Sequence, residues 1–190
     1  MAKNIILLDN RIEGTMTVSD LLKTFMVDKD TSLMSAFGFI NTMAKGHGTI
    51  ETLFILCHGY EAIGPDAKVG QFYWWVGGRG LQLGKEDVRE YNLNLWSSIK
   101  GSVKNIVIMA CGAAATQSGD EGRKDRDGKF LLTSLAKVTN AVVYGADTTQ
   151  WYQLKRMDFG KWEGTLYCFL PTGQYFAVPG QIANGLAVRQ

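Results

Sequence analysis

Two stretches of the chain are continuously apolar, and each leads into a reactive side chain followed by glycine. The first stretch, Thr52 to Cys57, precedes His58-Gly59, and the second, Ile106 to Ala110 within the predicted strand that starts at Val103, precedes Cys111-Gly112. Apolar runs of this length are typical of strands buried on both faces, as in a parallel sheet covered by helices. Because ligands bind at the carboxyl ends of the strands in such sheets, the pattern predicts that the histidine and the cysteine lie where chemistry is done.

The chain up to Gly145 alternates between strand and helix patterns. Polar capping residues precede several runs of apolar residues at helical spacing. Strands are predicted at Asn4–Asp9 and Ala141–Tyr144, and helices at Leu21–Met26, Leu33–Gly46, Lys85–Ile99 and Phe130–Asn140. In the helix that starts at Lys85, the apolar face is predicted to consist of Val88, Tyr91, Leu95 and Ile99. The alternation predicts a βαβ sandwich with right-handed crossovers.

Two segments depart from this alternation. Residues 59–84 are rich in glycine, and their apolar pieces, Phe72–Val76 and Leu81–Leu83, are predicted to form a small hairpin or lid. Trp162–Leu170 and Gln174–Val178 flank Pro171-Thr172-Gly173, which predicts a C-terminal β-hairpin. The predicted fold class is therefore α/β: a three-layer αβα sandwich with a mostly parallel central sheet, forming a single domain over residues 1–190.

Composition and charge narrow the functional classes. The chain is 46% hydrophobic and carries a net charge of +2, so no nucleic-acid partner and no anionic membrane partner are predicted. No stretch approaches the roughly 20 apolar residues of a membrane span. Three cysteines without a C-x-x-C pair indicate a reducing compartment, so the protein is predicted to be cytoplasmic or delivered by a non-Sec route. No oligomeric state is predicted.

Cys111 and His58 together suit acyl transfer. A thiol with a pKa of about 8.5 is mostly protonated at neutral pH, and a histidine with a pKa of about 6.5 can take its proton. Adjacent strands lie about 4.8 Å apart, so residues just beyond their ends can meet. Backbone N–H groups at the glycine turns can stabilise an oxyanion. No pair among the cysteines and His58 shows zinc-ligand spacing, so no metal site is predicted.

These two motifs resemble those of the caspase-like (clan CD) cysteine peptidases. The resemblance lies in an apolar strand ending in His-Gly and, 53 positions from that histidine, the cysteine of an Ala-Cys-Gly strand end. It covers Phe54–Gly59 and Ile108–Gly112, and loosely the βα order from Asn4 to Gly145. It implies a caspase-like sandwich that needs no cofactor and cleaves a protein or peptide substrate through an acyl-enzyme. The implied roles are general base and acid for His58, nucleophile for Cys111, and oxyanion hole for the N–H groups of Gly59 and Cys111.

The sequence departs from caspases around the cysteine. Caspases carry glutamine before Ala-Cys, whereas Met109 stands there in this chain and Gly112 follows the cysteine. An aspartate-binding pocket is therefore not predicted, although Arg11 lies in a loop that could contribute to one. The predicted substrate-binding residues are Met109, Asp147 and Trp151.

Asp147 follows the strand Ala141–Tyr144, at the same sheet edge as Cys111. A carboxylate there would select a lysine or arginine side chain, as in some caspase-like relatives; the alternative is a turn residue that bonds its own backbone. Trp74, Trp75 and Trp151 either wall the cleft or pack within a lid.

Other interpretations stay open at this point. The fold could instead be an inactive caspase-like module that works by protein–protein binding, or a cysteine hydrolase or acyltransferase that does not act on proteins. Cys57 and Cys168 are predicted to be core residues. The charged loop Gly119–Gly128 is either a self-processing site or a solvated surface loop.

Overall fold

The computed structural model describes residues 4–12, 21–60, 62–69, 72–76, 78–150 and 162–179. In chain order its strands and helices are β1 (Asn4–Asp9), β2 (Leu21–Val27), α1 (Leu33–His47), β3 (Ile50–Leu56), β4 (His58–Gly59), β5 (Ala62–Val69), β6 (Phe72–Val76), β7 (Leu81–Gln82), a 3₁₀ helix (Glu90–Ile99), β8 (Val103–Met109), α2 (Gly128–Thr139), β9 (Val142–Ala146), β10 (Leu166–Phe169) and β11 (Tyr175–Ala177). Of the helices described, none combines the length and the apolar character that crossing a bilayer requires.

Seven strands form one sheet in the order β11-β10-β9-β8-β3-β1-β2. The five strands from β9 to β2 run parallel to their neighbours, and β10 and β11 add an antiparallel hairpin. The chain moves outward from β1 to β2 and then returns to β3 on the other side of β1. Parallel sheets of this kind bind ligands at the carboxyl ends of the strands where the order reverses. The α/β class, the mostly parallel sheet and the terminal hairpin are confirmed.

Alternation along the strands produces two buried clusters, one on each face of the sheet. In β1, Ile5 and Leu7 join the larger cluster, whereas Ile6 and Leu8 join the smaller one. The larger cluster contains residues of α1, the 3₁₀ helix and α2. On the opposite face, the described part of the chain contributes no helix, and Tyr144 and Trp162 pack against the smaller cluster. A second helical layer, which a three-layer sandwich requires, is thus not among the described residues.

The prediction of a short helix at Leu21–Met26 is wrong, because the segment is strand β2. It lies at the sheet edge, parallel to β1, with Phe25 opposite Leu7. Phe25 stacks on Phe39 of α1 at 4.9 Å, and Val27 is buried, while the intervening Met26 is 54% exposed. Pairing with β1 and this two-residue alternation outweigh the helix propensity of the leucines and lysine.

The predicted helix Lys85–Ile99 is shorter and tighter than its pattern indicated. Only Glu90–Ile99 is helical, in the 3₁₀ form, and its buried side chains include Leu93, Trp96 and Ile99 at three-residue spacing. A 3₁₀ helix has three residues per turn, so this row faces the core and Tyr91 is 76% exposed. The prediction that Tyr91 belongs to the buried apolar face, made from the 3.6-residue period of an α-helix, is therefore wrong.

The glycine-rich segment pairs differently from the predicted hairpin. Its two apolar pieces do not pair with each other: β6 pairs with β5, and β7 pairs with β4, which contains His58 and Gly59. The predicted strand Ala141–Tyr144 also continues through Gly145 to Ala146. Gly145 suits this position because a Cβ there would lie 2.6 Å from the Cδ1 of Leu132 in α2.

Helix α1 confirms the prediction made from its capping residues, and α2 confirms the prediction made from the spacing of its apolar residues. Ser32 accepts a hydrogen bond from the backbone N–H of Ser35 and starts α1. Asp127 accepts from two backbone N–H groups at the start of α2, and Asn140 ends that helix in the left-handed conformation. Both helices pack on the larger cluster and so fix the strands that carry the site.

Candidate active site

The carboxyl ends of β3 and β8 place the predicted residues side by side. Leu56 is the register partner of Met109, so the chain leaves the sheet at neighbouring positions before His58 and Cys111. Both of these residues line one open pocket, together with Ile12, Cys57, Met109, Ala110 and Gln150. The pocket lies at the edge of the sheet where parallel α/β folds bind ligands.

Gly59 and Cys111 are in direct backbone contact. A Cβ on Gly59 would lie 1.7 Å from the carbonyl oxygen of Cys111 and 3.2 Å from its backbone nitrogen. No side chain fits into that space, so only glycine allows the two loops to approach this closely. The glycine after the histidine therefore brings the two strand ends together.

The turn that carries Cys111 is held by its neighbours. Gly112 adopts a φ of 56°, in the left-handed region that favours glycine. Its N–H donates to the carbonyl of Thr148 at 2.9 Å, and the N–H of Ala114 donates to the carbonyl of Ala146 at 2.9 Å. The N–H of Gly128, at the start of α2, donates to the carbonyl of Ala115 at 2.8 Å. These bonds fix the cysteine turn to β9, to the segment just after β9, and to α2.

The sulfur of Cys111 is partly accessible from the pocket. Its thiol donates a weak hydrogen bond to the carbonyl oxygen of Gln150, with an S···O distance of 3.8 Å. The Gln150 side chain is buried and donates to the carbonyls of Thr148 and Glu163, each at 3.0 Å. Gln150 thus holds the segment beside the sulfur, a role that no feature of the sequence indicated.

His58 has an exposed ring with one defined backbone partner. Its Nε2 lies 3.2 Å from the carbonyl oxygen of Arg11. A carbonyl can only accept, so in this bond Nε2 carries the proton and donates it. The neutral ring then has its lone pair on Nδ1, which is the atom able to accept a thiol proton. Sequence reasoning missed this carbonyl, because backbone groups leave no mark on residue identity.

The Arg11 side chain is hydrogen-bonded to other residues of the protein. Its Nε donates to Asp9 Oδ1 at 2.7 Å, and its Nη2 donates to Asp9 Oδ2 at 2.6 Å. The hydrogen bonds with Asp9 raise the pKa of Arg11 above its ordinary value. Nη2 also reaches the carbonyl of Gly84 at 3.2 Å. The guanidinium is thus bound to Asp9, which does not favour its use in an aspartate-binding pocket.

The other two thiols are core residues. Cys57 and Cys168 are 2% and 4% exposed, as predicted. Burial raises the pKa of Cys57 far above its ordinary value, and burial also raises the pKa of Cys168. Both thiols stay protonated at neutral pH, so neither competes with Cys111 as a nucleophile.

Of the predicted substrate-binding residues, one lines the pocket, one lies outside its lining and one is not described. Met109 lines the pocket although it is only 1% exposed. Asp147 lies outside the lining, and its Oδ1 accepts the backbone N–H of Thr165 at 2.8 Å, which is a bond to a distant segment rather than the predicted bond within its own turn. Trp151 falls outside the described residues, as do the side chains of Trp74 and Trp75. Selection of a basic residue by Asp147 therefore stays a prediction.

The charged loop predicted at Gly119–Gly128 is mostly exposed, apart from Asp127 and Gly128. Arg123 pairs with Asp120 at 3.2 Å within the loop. Self-processing in this loop stays a hypothesis. Over the ranges that the structure describes, no three histidine, cysteine or acidic residues are grouped as metal ligands.

The sequence matches no known family model and no curated protein. The resemblance to caspase-like peptidases therefore depends on the two strand-end motifs.

Proposed function

We propose that the protein is a caspase-like cysteine endopeptidase that cleaves a protein or peptide substrate through a Cys111–His58 dyad. The observation that carries the proposal is the backbone contact between Gly59 and Cys111. It joins the ends of two adjacent strands and brings an imidazole and a thiol to the same open pocket. The rigid turn after Cys111 supports a preorganised nucleophile.

The reaction follows from the protonation state of His58. The Cys111 thiol gives its proton to Nδ1 of the imidazole, whose Nε2–H remains bonded to the Arg11 carbonyl. The thiolate attacks the carbonyl carbon of the scissile peptide bond, and the imidazolium then protonates the leaving amine. Water hydrolyses the resulting thioester, with His58 accepting a proton from that water and returning it to the sulfur.

The oxyanion of the tetrahedral intermediate needs N–H donors near Cys111. The N–H of Tyr60 donates to the carbonyl of Gly80 at 2.9 Å, so these two residues continue the β4–β7 register beyond the strands as a hydrogen-bonded pair. Antiparallel pairs alternate, and the N–H of Gly59 therefore points away from β7. This orientation supports Gly59 as one donor beside the N–H of Cys111. Loss of one such donor costs roughly 10² to 10³ in kcat in enzymes of this type.

Alkylation of the three cysteines tests the dyad directly. With iodoacetamide at neutral pH, peptide mapping should show fast modification of Cys111, while Cys57 and Cys168 stay unmodified in the folded protein. His58→Ala should slow the Cys111 reaction by about 10²-fold or more, in line with general-base contributions. His47→Ala is the matched control, because His47 is the only other histidine and lies exposed at the end of α1. Equal rates in all three proteins would overturn the dyad.

Cleavage of a mixed peptide library separates the proposed peptidase from its rivals. Wild type should produce new peptide termini that Cys111→Ala does not produce. A reactive Cys111 without peptide cleavage would point to a non-proteolytic cysteine hydrolase. An unreactive Cys111 together with an intact library would leave the inactive binding module.

A further inference from the structure

We propose that the Asp9–Arg11 ion pair is a positioning device that holds His58 in its Nε2–H tautomer. The proposal rests on the proposed function, because the tautomer matters only if Nδ1 acts as the base toward Cys111. Asp9 and Arg11 are positioning residues rather than catalytic ones, since neither side chain contacts the imidazole in the bond described above.

The carbonyl that His58 contacts belongs to a peptide plane with little freedom to turn. The carbonyl of Arg11 and the N–H of Ile12 share one planar trans peptide group, so fixing one end fixes the other. The N–H of Ile12 donates to the carbonyl of Asp9 at 3.0 Å. The N–H of Arg11 donates to Asp9 Oδ1 at 3.1 Å. The loop after β1 is therefore hydrogen-bonded on both sides of the Arg11 carbonyl, which accepts the hydrogen bond from His58.

The side chain of Asp9 ties this loop to the fold. Asp9 is fully buried, and its Oδ2 accepts the N–H of Gly84 at 3.0 Å in addition to the Arg11 guanidinium. The guanidinium in turn reaches the carbonyl of Gly84. The ion pair thus bonds Gly84 twice, through the carboxylate of Asp9 and through Nη2 of Arg11. The guanidinium contacts both carboxylate oxygens of Asp9 in a two-pronged geometry that a lysine cannot reproduce.

Burial and neighbouring charge stabilise the Asp9–Arg11 ion pair. A buried carboxylate without its partner is strongly unfavourable, so Asp9 keeps Arg11 in place. Asp87 lies near the guanidinium and further stabilises its charge, while the Asp87 carboxylate accepts the Tyr60 hydroxyl at 2.7 Å. Tyr60 follows Gly59 directly, so the same group of residues supports both the histidine and the glycine of the site.

Nitrogen-15 NMR of histidine-labelled protein tests the inference without requiring activity. The chain has two histidines, and His47→Gln removes one set of signals and so assigns His58. In the wild type, neutral His58 should show well-separated Nδ1 and Nε2 resonances with the proton on Nε2. In Arg11→Lys, which keeps the charge but loses the two-pronged geometry, the two resonances should move toward each other as the tautomers mix. A folded Arg11→Lys protein with an unchanged His58 spectrum would overturn the inference.

A second variant covers the case in which Arg11→Lys fails to fold. Asp9→Asn combined with Arg11→Gln removes both buried charges together and leaves no unpaired ion. The same movement of the resonances is expected, accompanied by an approximately tenfold slower alkylation of Cys111. A folded double variant with wild-type resonances would contradict the inference. An ordered His58 tautomer in a wild type whose Cys111 is unreactive would instead contradict the proposed function and leave the positioning device intact.

Discussion

Gly59 shows how a single residue decides whether the site exists. The histidine that precedes it is the proposed general base, and the absence of a side chain at Gly59 allows the loop after β3 to touch the peptide of Cys111. The clashing atoms belong to a backbone that is bonded to β9, and such atoms cannot move aside as the end of a flexible side chain can. Glycine is required at position 59 because a side chain would clash with Cys111, not because of an unusual backbone conformation.

Gly59→Ala is expected to destabilise the protein and to lower the reactivity of Cys111. Overpacking costs about 1 to 3 kcal/mol or more, and the high end applies where backbone meets backbone. Gly38→Ala is the matched control, since a Cβ at that exposed position in α1 meets no atom within 4 Å. It should raise the free energy of unfolding by roughly 0.5 to 1 kcal/mol, because alanine is the better helix former. Urea unfolding of both variants measures the difference, and equal stabilities would contradict the contact.

At the scale of elements, α2 and the charged loop are joined through Asp127. Oδ1 of this buried carboxylate accepts the backbone N–H groups of Lys129 and Phe130, at 2.9 and 3.1 Å. Oδ1 also accepts the Thr116 hydroxyl, and Oδ2 accepts the N–H of Gly122 at 2.7 Å. One side chain therefore caps the helix that holds the cysteine turn and closes the loop that follows it.

Asp127→Ala should cost about 1 to 2 kcal/mol in the free energy of unfolding, because it removes the N-cap of α2 and the loop bonds together. Asp125→Ala is its control: the Asp125 side chain is 77% exposed and pairs with Arg126 at 3.5 Å. A change within about 0.5 kcal/mol is expected there. Thermal melts followed by circular dichroism compare the two, and a control as damaging as Asp127→Ala would remove the capping explanation.

For the whole molecule, burial of protonated groups makes stability depend on alkaline pH. Burial raises the pKa of Cys57 above the ordinary value of a thiol, and burial also raises the pKa of Tyr60 and of Tyr144 above the ordinary value of a phenol. As the pH rises past those ordinary values, the unfolded chain releases these protons before the folded chain does. The unfolded state then binds fewer protons, so the free energy of unfolding must fall with rising pH.

The loss of stability should begin above about pH 9, where the thiol of an unfolded chain ionises, and below that pH the contribution of Cys57 is complete. Guanidinium unfolding measured from pH 7 to pH 10.5 tests this. In Cys57→Ala the decline between pH 9 and pH 10 should be shallower than in the wild type, although the variant starts from a lower stability. A parallel decline in both proteins would show that Cys57 does not contribute to it.

Local patterns predicted much of the fold correctly. The buried strands before His58 and Cys111, the capped helices α1 and α2, and the terminal hairpin all follow from short-range periodicity and capping residues. The errors occurred where pairing partners are distant. Strand β2 is a strand because β1 is available to pair with it, and the pairing of β7 with β4 depends on Gly80 reaching Tyr60.

The sequence by itself determined that a histidine and a cysteine follow two buried parallel strands, because strand burial and glycine turns are written in neighbouring residues. Only the tertiary structure decided that the carbonyl of Arg11, 47 positions away, lies within hydrogen-bond distance of the imidazole, and that the carbonyl of Gln150 lies beside the sulfur. The physical reason is that these contacts use backbone groups and a buried amide. Their positions depend on how separate strands end at one edge of the sheet, and no local pattern of residues encodes that arrangement.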